Sequence, residues 1–468
     1  MDISKVHEFP VVVHWQQPRC LIGAGASELA APQAAAMGLK HVLFVTSGLR
    51  GTGIIEDQKS RFEAAGVAVT IYDKVESNPK DYNVMDAYQL FSSEKCDGFV
   101  SIGGGSSTDA TKGARIVAAH DGRNTNEFQG ANASEKLANP PHIAINTTVG
   151  TGSETTPFYV ITDTTSDNAP HKWAAFDAAS TTTLAINDPV LMMTQPPQYV
   201  AYTGFDTIAH ASESYVSRVG MRSVQPEALK AVELVEDNLR QAYANPNDFE
   251  AMNNMCWAQY MAAQAFSSGL LGILHSLSHA VCAYYDIHHG LNNGVGIARV
   301  WEFNQPAKPK EYGDIAGAMH ARRPGMTDIQ ASDAAIEAVT RLARDVGIPE
   351  NFQSAGPYPK SRIGQGWYKD RATTIESDDA ELAAMGEHMV NDLCTPGNPR
   401  VLTPEAAQEI LRDCVFDDMT RGAGQPAANR AVHRVSDASY TLDDPQSMAA
   451  IITAAVQAQP ASAPAASN

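Results

Sequence analysis

The sequence predicts an α/β protein of two domains: a parallel sheet flanked by helices over residues 1–195, then an all-α domain over residues 196–420. Three observations carry that prediction. Short β-branched runs alternate with longer amphipathic ones through the first two hundred residues. Strand signals almost vanish after the break at Thr194-Gln195-Pro196-Pro197. Glycine-rich loops sit directly after strand runs, where sheets of this kind bind ligands.

Residues 41–46 (HVLFVT), 67–72 (VAVTIY), 98–102 (GFVSI) and 143–148 (IAINTT) read as strands. Between them, 54–65, 83–95 and 108–119 carry apolar residues at helical spacing. Beyond the proline pair, helices are expected over 227–244, 249–267, 271–285 and 331–345. Residues 421–468 form a C-terminal extension whose last ten (QPASAPAASN) have the Ala/Ser/Pro-rich composition of a disordered tail.

The 468 residues are 44% apolar, 7% aromatic and 19% charged, with a formal net charge of −19. Such a surplus of acid argues against nucleic acid or an anionic membrane as partner, since both need excess Lys and Arg. Residues 1–8 show no apolar core or cleavage site, and no apolar run approaches the roughly 18 residues of a spanning helix. The six cysteines are scattered without a C-x-x-C pair, which predicts buried reduced thiols. The expectation is a cytoplasmic enzyme.

Two glycine patterns compete for a phosphate site. Gly23-Ala24-Gly25 lacks a third glycine at the dinucleotide spacing and reads as a turn. Ser101-Ile102-Gly103-Gly104-Gly105-Ser106 follows a strand and opens the helix that carries Asp109 and Lys112. There the backbone of Gly104 and Gly105 can approach a pyrophosphate, and Ser106 and the first helical amides can donate to it. A second loop, Thr147-Thr148-Val149-Gly150-Thr151-Gly152-Ser153-Glu154, clusters hydroxyls and glycines after the next strand.

The sharper signal lies in the helical half. Asp206 and His210 are four apart, so a helix sets both on one face. His275 and His279 repeat that spacing, and His288-His289-Gly290 follows within the same fifteen residues. Imidazoles with one carboxylate suit Zn²⁺ or Fe²⁺ with an open position for substrate. Spacing leaves the choice among His275, His279, His288 and His289 open. The histidine left free is a candidate proton relay.

The chain resembles the iron-dependent (type III) alcohol dehydrogenase family over about residues 9–400. The resemblance rests on GGGSSTDATK (103–112), TTVGTGSE (147–154), NDPVL (187–191), GFDTIAHASESY (204–215), GILHSLSHA (272–280) and HHGLNN (288–293). Within the family it is most similar to the nicotinoprotein methanol dehydrogenases assayed with a nitroso dye. VTSGLRGTGIIED (45–57), YDKVESNPKDYNVM (72–85), GARIVAAHDGRN (113–124), PHKWAAFD (170–177) and CTPGNPR (394–400) carry that closer match.

The resemblance implies a dehydroquinate synthase-like fold, with a dinucleotide-binding first domain and a metal-binding second. It implies hydride transfer from a short, methanol-like primary alcohol to tightly held NADP(H) or NAD(H), with reoxidation by an aldehyde or an external carrier. It also implies a homo-oligomer, with a decamer as the form expected of that branch. By position, the family's metal ligands fall on Asp206, His210, His275 and His289, for Zn²⁺, Fe²⁺ or Mg²⁺, and His279 matches the free histidine near the nicotinamide. Gly104, Gly105 and Ser106, with Asp109 on their helix, fall at the pyrophosphate loop. Asn78, Thr147, Thr148, Thr151 and Lys172 match cofactor-contacting positions. One departure stands out: Ser47 occupies the place where many relatives carry an acidic residue for the adenosine ribose. Without that carboxylate a 2′-phosphate is not repelled, and Arg50 is positioned in sequence to pair with it.

Two rival activities remain at this point. A lyase of the same fold needs a basic cluster for substrate phosphate, absent from the ligand segments. A metal-dependent hydrolase needs a general-base carboxylate, for which Glu213 is the candidate.

Overall fold

The computed structural model describes residues 15, 18–134, 139–166, 170–355, 379–417 and 419. The C-terminal extension expected over 421–468, with its disordered last ten residues, lies outside the described residues.

The first half alternates strand and helix: β1 (Cys20–Ile22), α1 (Ala30–Ala36), β2 (His41–Thr46), α2 (Ile54–Ala64), β3 (Ala68–Tyr72), α3 (Asp81–Ser93), β4 (Gly98–Gly103) and α4 (Gly105–Ala119). Then come β5 (Gly130–Ala131), β6 (His142–Asn146), β7 (Phe158–Asp163), β8 (His171–Phe176), β9 (Leu184–Asn187) and the short α5 (Pro189–Met192). Six strands make one sheet in the order β1-β9-β6-β4-β2-β3, all pairs parallel. Its two faces are dry: Val42, Phe44, Val100, Ile143 and Ile145 pack one way, Leu43, Val45 and Phe99 the other. A smaller sheet, β5-β8-β7, lies beside it.

Two expectations shift here. The helix expected from 108 begins at Gly105, so Gly105 and Ser106 form its first turn. The run expected as strand to 148 ends at Asn146, which puts Thr147 and Thr148 in the following loop. Strands β7, β8 and β9 went unexpected. β8 mixes Lys172 and aromatics with alanines, and four-residue β9 is too short to tell from a buried helical turn.

From Pro197 onward the described residues are helical. The helices are α6 (Pro197–Val216), α7 (Gln225–Ala244), α8 (Phe249–Gly269), α9 (Ile273–Tyr285), α10 (His289–Asn304), α11 (Pro309–Ala318), α12 (Asp328–Asp345), α13 (Asp379–Asn391) and α14 (Pro404–Phe416). Their starts have local causes. Pro197 supplies a pre-set first-turn φ to α6. Asp248 caps α8 by accepting from the Ala251 amide at 3.0 Å, and Thr327 and Gln330 form a capping box on α12. Helices α6, α8, α9 and α10 converge on one core, through residues such as Phe205, Met255, Leu274 and Val295. No single described helix is long and apolar enough to cross a membrane. Helices α8 and α9 together reach that length, but they bend by 102° at their junction, and both lie largely inside this core.

Candidate active site

The carboxyl ends of β2, β4 and β6 open onto a cleft of about 370 Å³, closed on its far side by α6, α9 and the start of α10. Every residue singled out as a candidate cofactor contact, metal ligand or relay lines it, apart from Arg50. Ser47 follows β2; Gly104, Gly105, Ser106 and Asp109 belong to the β4–α4 turn and α4. Thr147, Thr148 and Thr151 follow β6, Asn78 sits in the loop after β3, and Lys172 comes from β8. Asp206, His210, His275, His279 and His289 form the opposite wall.

In the sheet-side half, α4 aims its N-terminus at the cleft, where the first amides of a helix lack partners within it. The turn is packed to the limit. A Cβ on Gly104 would lie 2.7 Å from Thr148 Cγ2, and one on Gly105 2.9 Å from Thr151 Cγ2. Thr148 is pinned in turn by Asn146 Oδ1, which accepts from its amide at 2.9 Å. Lys172 Nζ donates to Asn78 Oδ1 at 2.8 Å. Asp109 has both oxygens engaged, accepting from Ser153 Oγ at 2.5 Å and the Val160 amide at 3.1 Å. It therefore ties the loop after β6 and strand β7 to α4 while bordering the cleft. Arg50 corrects an expectation: its guanidinium pairs with Asp73 at 3.1 Å on the surface, and it does not line the cleft.

In the helical half, three imidazole Nε2 atoms surround one carboxylate oxygen. Asp206 Oδ1 lies 3.9 Å from His210, 3.7 Å from His275 and 3.5 Å from His289. Each ring comes from a different place: α6 carries Asp206 and His210 one turn apart, α9 carries His275, and His289 opens α10. His289 is the one open to the cleft, its side chain 22% exposed.

Two of the three rings have their other nitrogen engaged. His275 Nδ1 meets Glu213 Oε2 at 2.6 Å, and Glu213 Oε1 is fixed by the Leu274 amide at 2.7 Å. Ser278 Oγ donates its one proton to the His289 carbonyl at 3.0 Å. It therefore accepts from His289 Nδ1 at 2.7 Å, which leaves His289 Nε2 as the lone-pair nitrogen. Asn293 Nδ2 donates to Asp206 Oδ1 at 2.8 Å. His275 Nε2 is buried with no hydrogen-bond partner. A buried polar atom left so is expensive, and a divalent cation is the partner this donor set fits.

Electrostatics agree. Burial disfavours the Asp206 carboxylate, but His210, His289 and His275 outweigh it and hold the group well below the usual range. Burial keeps His210 neutral, with a pKa near 4, and pushes His289 far down. For His275, burial is overcome by the nearby carboxylates of Asp206 and Glu213 and by the hydrogen bond to Glu213, which raise it to about 9.

His279 stands outside that set. Its Nδ1 meets Asp392 Oδ2 at 2.8 Å. Burial works against the Asp392 carboxylate, yet His279 and the Cys394 amide, at 2.8 Å, keep it ionised. An ionised carboxylate only accepts, so Nδ1 donates and Nε2 is the acceptor nitrogen of neutral His279. Glu213, the candidate general base of a hydrolase, has both oxygens committed to α9 and does not border the cleft. That removes the base the hydrolase reading needs. Lys172 is the one basic residue among the cleft's described lining, which offers no cluster for a substrate phosphate.

Sequence reasoning missed the partners behind the wall. Asn293 is i+4 from His289, so helical spacing could have flagged it; Glu213 was named, but as a hydrolase's base and not as the partner of His275. Asp392 lies 113 residues from His279 and carries no local signal.

Comparison with known proteins follows the same division. The profile described as "Iron-containing alcohol dehydrogenase" matches residues 17–189, and "Fe-containing alcohol dehydrogenase family, C-terminal" matches residues 200–415. The chain is 52% identical over 416 residues to methanol:N,N-dimethyl-4-nitrosoaniline oxidoreductase of Amycolatopsis methanolica, covering 88% of this chain and 97% of that protein. It is 36% identical to NAD-dependent methanol dehydrogenase of Bacillus methanolicus, covering 85% and 98%. Among solved structures, a 1,3-propanediol oxidoreductase superposes with a TM-score of 0.78 at 31% identity, over 86% of this chain and all of that one. The chain belongs to the iron-containing alcohol dehydrogenase family, as an oxidoreductase acting on CH–OH groups with a nicotinamide cofactor and a divalent metal.

Proposed function

We propose that this enzyme oxidises methanol or a small homologous primary alcohol to its aldehyde, using a nicotinamide nucleotide that stays bound between turnovers. The observation that carries the reading is the convergence of three imidazole nitrogens on Asp206 Oδ1, in the same cleft as the α4 N-terminus. Asp206, His210, His275 and His289 would hold the metal, which as a Lewis acid would lower the pKa of an alcohol bound beside it. Gly104, Gly105 and Ser106 receive the pyrophosphate, while Thr147, Thr148, Thr151, Asn78 and Lys172 orient the rest of the nucleotide. With the nicotinamide nucleotide bound, it would accept a hydride from the alcohol's α-carbon, and one proton would be released to solvent. His279, with Nε2 as its acceptor nitrogen, takes that proton near the nicotinamide. The protein's share is to hold reactants together and keep water out.

Ser47 in place of an acidic ribose contact supports NADP(H) as well as NAD(H). The reduced nucleotide is reoxidised by an aldehyde or by an external carrier. Retention of the nucleotide and a cytoplasmic homo-oligomer, with a decamer as the expected size, rest on the resemblance to the nitroso-dye-assayed branch carried by the motifs given above. The test is to purify the protein without added cofactor, denature it, and identify the released metal and nucleotide. One divalent metal and one nicotinamide nucleotide per chain are expected, with methanol-dependent bleaching of the nitroso dye before denaturation. Metal without nucleotide, and activity only on added NAD, would replace this reading with an ordinary exchanging dehydrogenase.

A further inference from the structure

The two walls of the cleft are fastened together at a point that lines neither substrate nor nucleotide space. Lys80 ends the loop after β3, and Asp286 ends α9, just before His288 and His289. Their side chains meet at 2.9 Å, 1% and 5% exposed. Lys80 Nζ also donates to the Ser77 carbonyl at 2.8 Å. Asn78 Nδ2 donates to Asp286 Oδ1 and to the Ile287 carbonyl, each at 3.0 Å. Asn78 and Asp286 both hold left-handed backbone, with φ of +52° and +53°. Non-glycine residues keep such angles where surrounding contacts over-determine them.

These bonded segments are the ones that bound the cleft: Ser77, Asn78 and Pro79 line one side, His288, His289 and Gly290 the other. Elsewhere, among the described residues, the halves are joined by hydrogen bonds without an ion pair, such as Thr207 Oγ1 to the Val149 carbonyl at 2.7 Å and Gln259 Nε2 to Asn187 Oδ1 at 3.0 Å. Parting the walls at Asn78 and Asp286 means separating two opposite charges that water does not reach, while on its own wall Lys80 keeps the Glu76 carboxylate at 3.9 Å. Parting them at the Thr207 and Gln259 contacts breaks no such pair.

We propose that Lys80 and Asp286 form a latch across the cleft that sets how fast bound nucleotide leaves. This rests on the nucleotide lying in the cleft as described above. Neither side chain lines the cleft, so both are positioning residues. The test loads the metal-bound enzyme with reduced nucleotide and chases it with excess oxidised nucleotide, following the loss of nicotinamide fluorescence. Wild type is compared with Asp286→Asn, Lys80→Met and the double variant, which leaves no unpaired charge. Release at least about tenfold faster in all three, with metal content unchanged, is the expected result. An unchanged rate in the folded double variant would overturn the latch. So would acceleration confined to the single variants, which traces to an unpaired buried charge, or acceleration accompanied by metal loss, which makes the pair a support for His289. Rapid release from the wild type speaks against a retained nucleotide, whereas the ratio between variant and wild type judges the latch.

Discussion

The two halves of the cleft bind by different physics. In the helical half, chemistry resides in side chains, and three of the four proposed ligands are anchored from behind: Asp206 by Asn293, His275 by Glu213, His289 by Ser278. In the sheet half it resides in backbone amides and small hydroxyls, with Gly104 and Gly105 packed against Thr148 and Thr151. The helical half should therefore fail when a charge or imidazole is removed, and the sheet half when volume is added.

The largest expected effect is that of His275→Ala. It should abolish metal binding and lower alcohol oxidation by at least about 10³-fold, the scale of several kcal/mol of Lewis-acid stabilisation. Elemental analysis checks it, and full metal content would remove His275 from the ligand set. Glu213→Gln leaves the ligand in place but loosens its orientation. Metal affinity should fall about 10–100-fold, measured by competition with a chelator. Unchanged affinity would mean that the 2.6 Å contact does no positioning.

Gly105→Val should reverse the pattern. Crowding Thr151 costs about 1–3 kcal/mol, read as nucleotide affinity lost by about 5–150-fold while metal content stays full. Loss of metal in this variant would break the division between the halves. Metal uptake should also depend on pH with a defined sign. The His275 pKa is raised, so its proton stabilises the metal-free fold fully below about pH 6.5, a contribution lost as pH rises through about 9. A metal must displace that proton, so affinity should rise about tenfold per pH unit up to about 9 and then level off. A flat titration would show that His275 is already neutral. The smallest effect expected is that of Ser47→Asp, a shift of about fivefold or more toward NAD(H), measured as the ratio of affinities for the two nucleotides. An unchanged ratio takes Ser47 out of the ribose site.

This contrast also explains what could be read in advance. Helical spacing exposed Asp206, His210, His275 and His279, because ligands on one helix face recur at i+4. It could not choose among the histidines of residues 275–289; the resemblance to a family did that, and the structure sets His279 against Asp392 instead of Asp206. The β4–α4 turn was legible through its glycines, since close backbone approach demands them. Strands β7 to β9 were not, because Lys172 and the alanines of β8 give no alternating pattern. Arg50 shows the limit of sequence proximity: three residues from Ser47, it turns to Asp73 and the solvent.

The central claim is that one divalent metal sits among Asp206, His210, His275 and His289. The most direct measurement is an anomalous-difference map from crystals of the protein, collected on either side of the absorption edge of the metal it carries. A single peak within coordination distance of Asp206 Oδ1 and the Nε2 atoms of the three histidines is the predicted result. A peak at the neighbouring His279, Asp392 and Cys394 cluster, whose ligand atoms also lie within 4.8 Å of one another, would contradict it.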